Sequence, residues 1–81
     1  MIVHVRLFAM MAQDAGTARI DIELPQGATL SALSPVLRKK FPTMRWPSGT
    51  MLALNQEYVA NDSLPLHDGD ELAIIPPVSG G

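Results

Sequence analysis

The group with the most distinctive chemistry in this sequence is not a side chain. The chain ends Ile75-Pro76-Pro77-Val78-Ser79-Gly80-Gly81. Two prolines fix φ and bias the residues before them toward extended geometry. The two glycines have no Cβ, so the last units fit a slot too narrow for other residues, and nothing crowds the terminal carbonyl carbon. Fully extended, Pro77 to Gly81 reach about 17 Å. Residue types in this order describe a carboxylate held out on a stiff, thin arm. The same stretch also reads as an ordinary frayed end, so the rest of the chain has to decide.

Few side chains compete with it. His67-Asp68-Gly69-Asp70 is the only local cluster of potential metal ligands. It reads as a turn before a strand, and no metal is expected there. His4 is a lone imidazole on a strand, surface or partner-facing rather than catalytic. The acids are scattered, no Ser/His/Asp set stands out along the chain, and glycines occur singly until the end, without a phosphate-cradling loop. With no cysteine in the chain, disulfides, thiolate metal sites and a cysteine nucleophile are excluded. The body reads as a carrier with no catalytic side chains of its own, and no cofactor is expected to bind it permanently.

The elements that must position the arm follow from periodicity. Residues 2–8 alternate, with Val3, Val5 and Leu7 on one face and His4, Arg6 and Phe8 on the other, which predicts a half-buried strand. Residues 9–15 are helix formers closed by Gly16. Residues 17–24 alternate again and predict a second strand, antiparallel to the first across a short connection. One main helix is expected over residues 30–40. Either Thr29 caps it, or Ser34-Pro35 supplies the cap and first position. Residues 41–49 form a loop with Trp46 laid across an edge of the core. A third strand at 50–54, a turn at Asn55-Gln56 and a short strand at 57–59 come next. A last strand at 70–75 carries Leu72 and Ile74 inward, with Ala73 and Ile75 outward. Pairing the first and last strands in parallel at the sheet centre, with the helix across one face, gives an α+β fold. It is a β-grasp, or ubiquitin-like, mixed sheet of four to five strands. The expected organisation is a domain over 1–75 and an extended, flexible tail over 76–81.

Composition fits one small domain. The 81 residues are 47% hydrophobic and 17% charged, with six basic against eight acidic side chains and a net charge of -2. That balance offers no electrostatic footprint for nucleic acid or an anionic membrane. No apolar run approaches membrane-spanning length and no leader is visible, so a cytoplasmic protein is expected. The strand alternation also leaves Phe8, Ala73 and Ile75, with Met51 and Ala53, on the face away from the main helix. An exposed apolar patch beside the root of the arm marks a partner surface, unless residues 9–15 or the 41–49 loop fold over it.

At this point the residues resemble a known family. Val5-Arg6-Leu7-Phe8-Ala9, Ala53-Leu54-Asn55-Gln56-Glu57-Tyr58-Val59 and the run from Leu64 through Asp68-Gly69-Asp70-Glu71 to Pro76-Pro77-Val78-Ser79-Gly80-Gly81 are similar to the small subunits of molybdopterin synthases, ubiquitin-like sulfur carriers. Residues 34–48 carry little of the likeness. The resemblance implies that Gly81 is adenylated by a ubiquitin-activating-type adenylyltransferase at the expense of ATP. A sulfur donor then converts it to a thiocarboxylate, so the covalent sulfur sits at Gly81. The tail enters the large synthase subunit and gives its sulfur to cyclic pyranopterin monophosphate, building the molybdopterin dithiolene in two deliveries. By the same resemblance Gly80 allows passage, Ser79, Val78, Pro77 and Pro76 set the reach, and Phe8, Tyr58 and Ile75 dock on the partner. Three other readings share features of the sequence: a thiamin-pathway sulfur carrier, a ubiquitin-like modifier conjugated through Gly81, and an interaction module with an inert tail.

Overall fold

Val3, Val5 and Leu7 are buried while Arg6 between them is exposed, the period of two that a sheet with one covered face imposes. This is β1 (Ile2–Leu7) of a computed structural model that describes residues 1–78. Next come α1 (Ala9–Ala15), β2 (Arg19–Glu23), a 3-10 turn (Leu30–Ala32) and α2 (Leu33–Lys40). The chain continues through β3 (Met51–Leu54), β4 (Glu57–Val59) and β5 (Glu71–Ile75). The five strands lie in the order β2-β1-β5-β3-β4. β1 and β5 are parallel, with Val5 beside Leu72 and Leu7 beside Ile74. The β1–β2, β3–β4 and β3–β5 pairs are antiparallel. This is the β-grasp architecture that the element order predicted.

One face of the sheet is the core. Val3, Val5, Leu7, Met11, Leu33, Leu37, Leu72 and Ile74 are its fully buried large side chains. Each aliphatic group of that size contributes about 1.5–3 kcal/mol when removed from water. Eight of them are what lets a chain this short hold a strand pairing as non-local as β1 with β5.

Local chemistry explains most boundaries. Gly16 ends α1 in the left-handed region at φ 77, and its N–H donates to the carbonyls of Ala12 and Gln13, as a C-terminal glycine cap does. Asn55 and Gln56 both take positive φ, 49 and 72, which is the twist a two-residue hairpin turn needs.

The start of the main helix differs from expectation. Its N-cap is Ala32, and neither Thr29 nor Ser34 caps through its side chain. Thr29 Oγ1 lies 2.8 Å from Ser31 Oγ, and Ser34 Oγ accepts from Arg38 Nε at 3.2 Å. Pro35 sits inside the first turn of α2, where its missing N–H has no intrahelical acceptor to lose. The 3-10 turn before it brings Leu30 into the core alongside Leu33 and Leu37.

Candidate functional site

Parallel and antiparallel registers together lay one row of residues straight across all five strands. Arg19 faces Arg6, Arg6 stands beside Ala73, Ala73 faces Ala53, and Ala53 faces Tyr58. None of these residues belongs to the core cluster. They form the open side of the sheet. At the centre the two alanines floor a small hollow that is also lined by Arg6, Gln56 and Glu71. Tyr58 is 67% exposed.

One step further along the strands, Ile75 of β5 faces Met51 of β3. Phe8, in extended backbone at φ -128 and ψ 152, succeeds the end of β1 on the same side. The Arg6 guanidinium carbon lies 5.3 Å from the centroid of the Phe8 ring, close enough for a cation–π contact that holds both groups over the sheet. Met51 is half-exposed, and Phe8 and Ile75 are partly buried. In the opposite direction the face turns polar, with His4 Nδ1 2.7 Å from Asp21 Oδ1. This face is thus apolar at the end where the chain leaves β5 and charged at the other.

The arm begins at the apolar end. β5 stops at Ile75, Pro76 is buried, Pro77 is exposed and Val78 is 94% exposed. Phe8, Ala9, Met10, Ile75, Pro76, Pro77 and Val78 line an open, mostly apolar groove. Ala9, which opens α1, has φ 51, a region that costs a residue with a Cβ roughly 1–2 kcal/mol. That turn of the chain brings Met10 to the groove.

The sequence-predicted site residues therefore divide. Phe8, Ile75, Pro76, Pro77 and Val78 gather around one groove, and Tyr58 stands on the same face two strands away. Ser79, Gly80 and Gly81 lie outside the described residues. Two placements are corrected. Ala53, expected on the exposed apolar patch, is on that face but only 7% exposed, because its longer neighbours shade a methyl group at the centre of the sheet. Pro76, expected to add to the reach, is buried against the domain. Residues 9–15 do not close over the patch; Met10 forms one flank of the groove instead.

Arg6 and Met10 were missed. Arg6 was legible, since it alternates onto the face of Phe8. Met10 was not, since nothing local says where a short helix lies relative to a sheet.

The His67–Asp70 cluster is occupied with backbone. Asp68 Oδ1 accepts from the Ile2 N–H at 2.7 Å. Asp70, 9% exposed, accepts from the His67 N–H at 2.7 Å and from the Asn55 side chain at 3.0 Å. His67 is exposed, its Nδ1 3.9 Å from Asp70. Carboxylates used this way hold the turn that launches β5. Among the described residues no group of three or more acidic, His or Cys side chains could hold a metal ion. No helix among them is long and apolar enough to cross a membrane.

Comparison with known proteins agrees with this geometry. The chain is 40% identical over 81 residues to the molybdopterin synthase sulfur carrier subunit of Drosophila erecta, covering 98% of this chain and 90% of that one. It is 39% identical to the protein of the same name in Arabidopsis thaliana, covering 98% and 82%. Among solved structures, SAMP1 from Haloferax volcanii, a small archaeal modifier protein, superposes with a TM-score of 0.87 at 27% identity over the whole of both chains. The complex of subunits 1 and 2 of molybdopterin-converting factor from Helicobacter pylori contains a chain matching with a TM-score of 0.75 at 31% identity, again over both full lengths. The ThiS family model matches residues 5–81. Matched over nearly its whole length, the chain belongs to the ThiS family.

Proposed function

We propose that this chain is the sulfur carrier subunit of a molybdopterin synthase, with Gly81 as the working group. The observation that carries the reading is the root of the arm. Val78 stands almost fully in solvent two residues beyond a buried Pro76, at the edge of an open apolar sheet face. The names and coverage of the relatives support it.

The chemistry is dictated by the terminus. A carboxylate with a pKa of about 3.5 is an anion at neutral pH, and its carbonyl carbon is a poor electrophile until it is activated. Attack of the Gly81 carboxylate on the α-phosphorus of ATP, in an adenylating partner of the ubiquitin-activating type, releases pyrophosphate and leaves an acyl-adenylate. Sulfur supplied at the sulfide level by a donor then attacks the acyl carbon, AMP leaves with the oxygen, and a thiocarboxylate remains. In the large subunit the sulfur passes to cyclic pyranopterin monophosphate, and two such deliveries complete the dithiolene. Gly80 gives passage, and Ser79, Val78 and Pro77 supply the reach. Phe8, Tyr58 and Ile75, with Met51 and Arg6 beside them, dock on the partner. ATP belongs to the activating partner, and no cofactor stays on this chain. A cytoplasmic location fits the need for ATP.

The large subunit as partner is supported by the Helicobacter pylori complex of two subunits. Loading is tested by mass spectrometry after incubation with ATP, the adenylating enzyme and a sulfur donor. The intact chain should gain the mass of sulfur replacing oxygen, and a chain lacking Gly81 should not. Co-purification with a large synthase subunit, rather than with a thiazole synthase, separates this reading from a thiamin-pathway carrier. A modifier role is the second reading, favoured by the likeness to SAMP1. It would show as higher-mass conjugates that disappear with Gly81.

A further inference from the structure

The segment between α2 and β3 has no role in the sheet and little in the family resemblance, yet three contacts tie it to the body and a fourth closes its end into a turn. Met44 is buried in the core. Arg45 makes three contacts to Asp14: its backbone N–H and Nε donate to Oδ2, both at 2.9 Å, and Nη2 donates to Oδ1 at 3.0 Å. The Arg38 guanidinium lies 4.6 Å from the Trp46 ring centroid. Thr50 donates from both its hydroxyl, at 2.6 Å, and its N–H, at 3.2 Å, to the Pro47 carbonyl. Such bonds fix a loop that would otherwise move freely.

The anchored turn faces the arm. Gly49, at φ 88, presents its open side to Pro77. A Cβ built there would lie 3.6 Å from Pro77 Cβ and 3.8 Å from its Cγ. A methyl there would make ordinary van der Waals contact with the ring. Pro76 is buried on the domain side. A buried Pro76 and a Pro77 lying against the turn thus bracket the point from which Val78 enters solvent.

We propose that the 47–50 turn is a positioning element for the sulfur-bearing arm, with Gly49 as the seat of Pro77. This rests on the sulfur-carrier reading. The turn does not touch the reacting atoms; it acts by aiming the arm from Val78 outward, so that the terminus enters the partner's site without a search. Since misplacing a reacting group by about 1 Å costs up to ~100-fold in rate, aim should show in turnover rather than in affinity.

The test is a cycle of Gly49→Asn, Pro77→Ala and both together. Asparagine tolerates positive φ, so it keeps the turn while placing a side chain in the seat. Thiocarboxylated chains are mixed with the large subunit and cyclic pyranopterin monophosphate. Gly49→Asn should lower kcat about tenfold and leave the Kd for the large subunit within about twofold. With Pro77→Ala already present, Gly49→Asn should cost less than about twofold more, because the two residues act as one unit. Independent multiplication of the two effects, or a change in Kd alone, overturns the proposal. NMR of the free chain decides it separately from the sulfur chemistry. A nuclear Overhauser contact between the Gly49 α-protons and the Pro77 ring supports the seat even if wild-type chains transfer no sulfur, which would instead fail the carrier reading. Absence of that contact removes the seat whatever the activity.

Discussion

Asn55 and Asp70, fifteen residues apart, are joined by a 3.0 Å hydrogen bond from the Asn55 side-chain nitrogen to the Asp70 carboxylate. Asn55 Oδ1 also accepts from the Glu71 N–H at 3.0 Å, and the Asn55 N–H donates to the Glu71 carbonyl at 2.8 Å. The β3–β4 turn is thereby fastened to the first residue of the strand that ends in the arm. Asn55→Ala leaves the Glu71 N–H and one oxygen of a nearly buried carboxylate without their partner, a loss of about 1–3 kcal/mol. Urea denaturation should show the midpoint fall with the slope unchanged. A variant as stable as the parent would mean the clamp contributes nothing.

Gln56 takes φ 72 without being glycine. Relief of that conformation is worth about 1–2 kcal/mol, against about 0.4–1 kcal/mol of extra unfolded-state freedom for glycine. Gln56→Gly should therefore hold or slightly raise the melting temperature. Gln56→Val should lower stability by about 1 kcal/mol or more, since a branched Cβ is worst placed at positive φ. The opposite order would show that the turn relaxes at little cost.

Asp14 carries the pH dependence of the anchored loop. The side-chain hydrogen bonds from Arg45, then the bond from its backbone N–H, lower the Asp14 pKa to about 2. A carboxyl depressed on folding stabilises fully above its ordinary range and loses that contribution as pH falls through its folded value. The stability gap between the parent and Asp14→Asn should be constant near neutrality. It should close as pH falls from roughly 4 toward 2. Denaturation midpoints across pH read this directly, and a gap that persists at the acid end would break the link.

Docking and folding should separate at Tyr58 and merge at Ile75. Tyr58 is 67% exposed, so Tyr58→Ala should change folding stability by within about 0.5 kcal/mol. The same change should weaken binding to the large subunit by about tenfold or more, the scale of an aromatic anchor. Ile75 is partly buried and faces Met51 across the sheet. Ile75→Asp should therefore harm both properties, while Met51→Asp at a half-exposed position should mainly harm binding. Calorimetry of each variant with the large subunit, set beside its melting curve, distinguishes them.

Much of this was legible because the information is local. Alternation in β1 placed Arg6 and Phe8 opposite Val5 and Leu7, and two prolines before two glycines described an arm. The helix start was not legible. A proline fits any of the first few helical positions equally well, since those amides have no intrahelical acceptor. Only the demand that Leu30, Leu33 and Leu37 share one core chose among them.

The amino-acid order by itself determined which residues face which side of each strand, where the chain turns, and that its last two units carry no side chain. These depend on neighbours within a few positions. Tertiary structure decided that Ala53 is shaded, that Pro76 is buried, that Met10 flanks the groove, and that Gly49 faces Pro77. Each of those is a distance between residues far apart in the chain, set by how helices and loops settle on the finished sheet, and no local pattern encodes it.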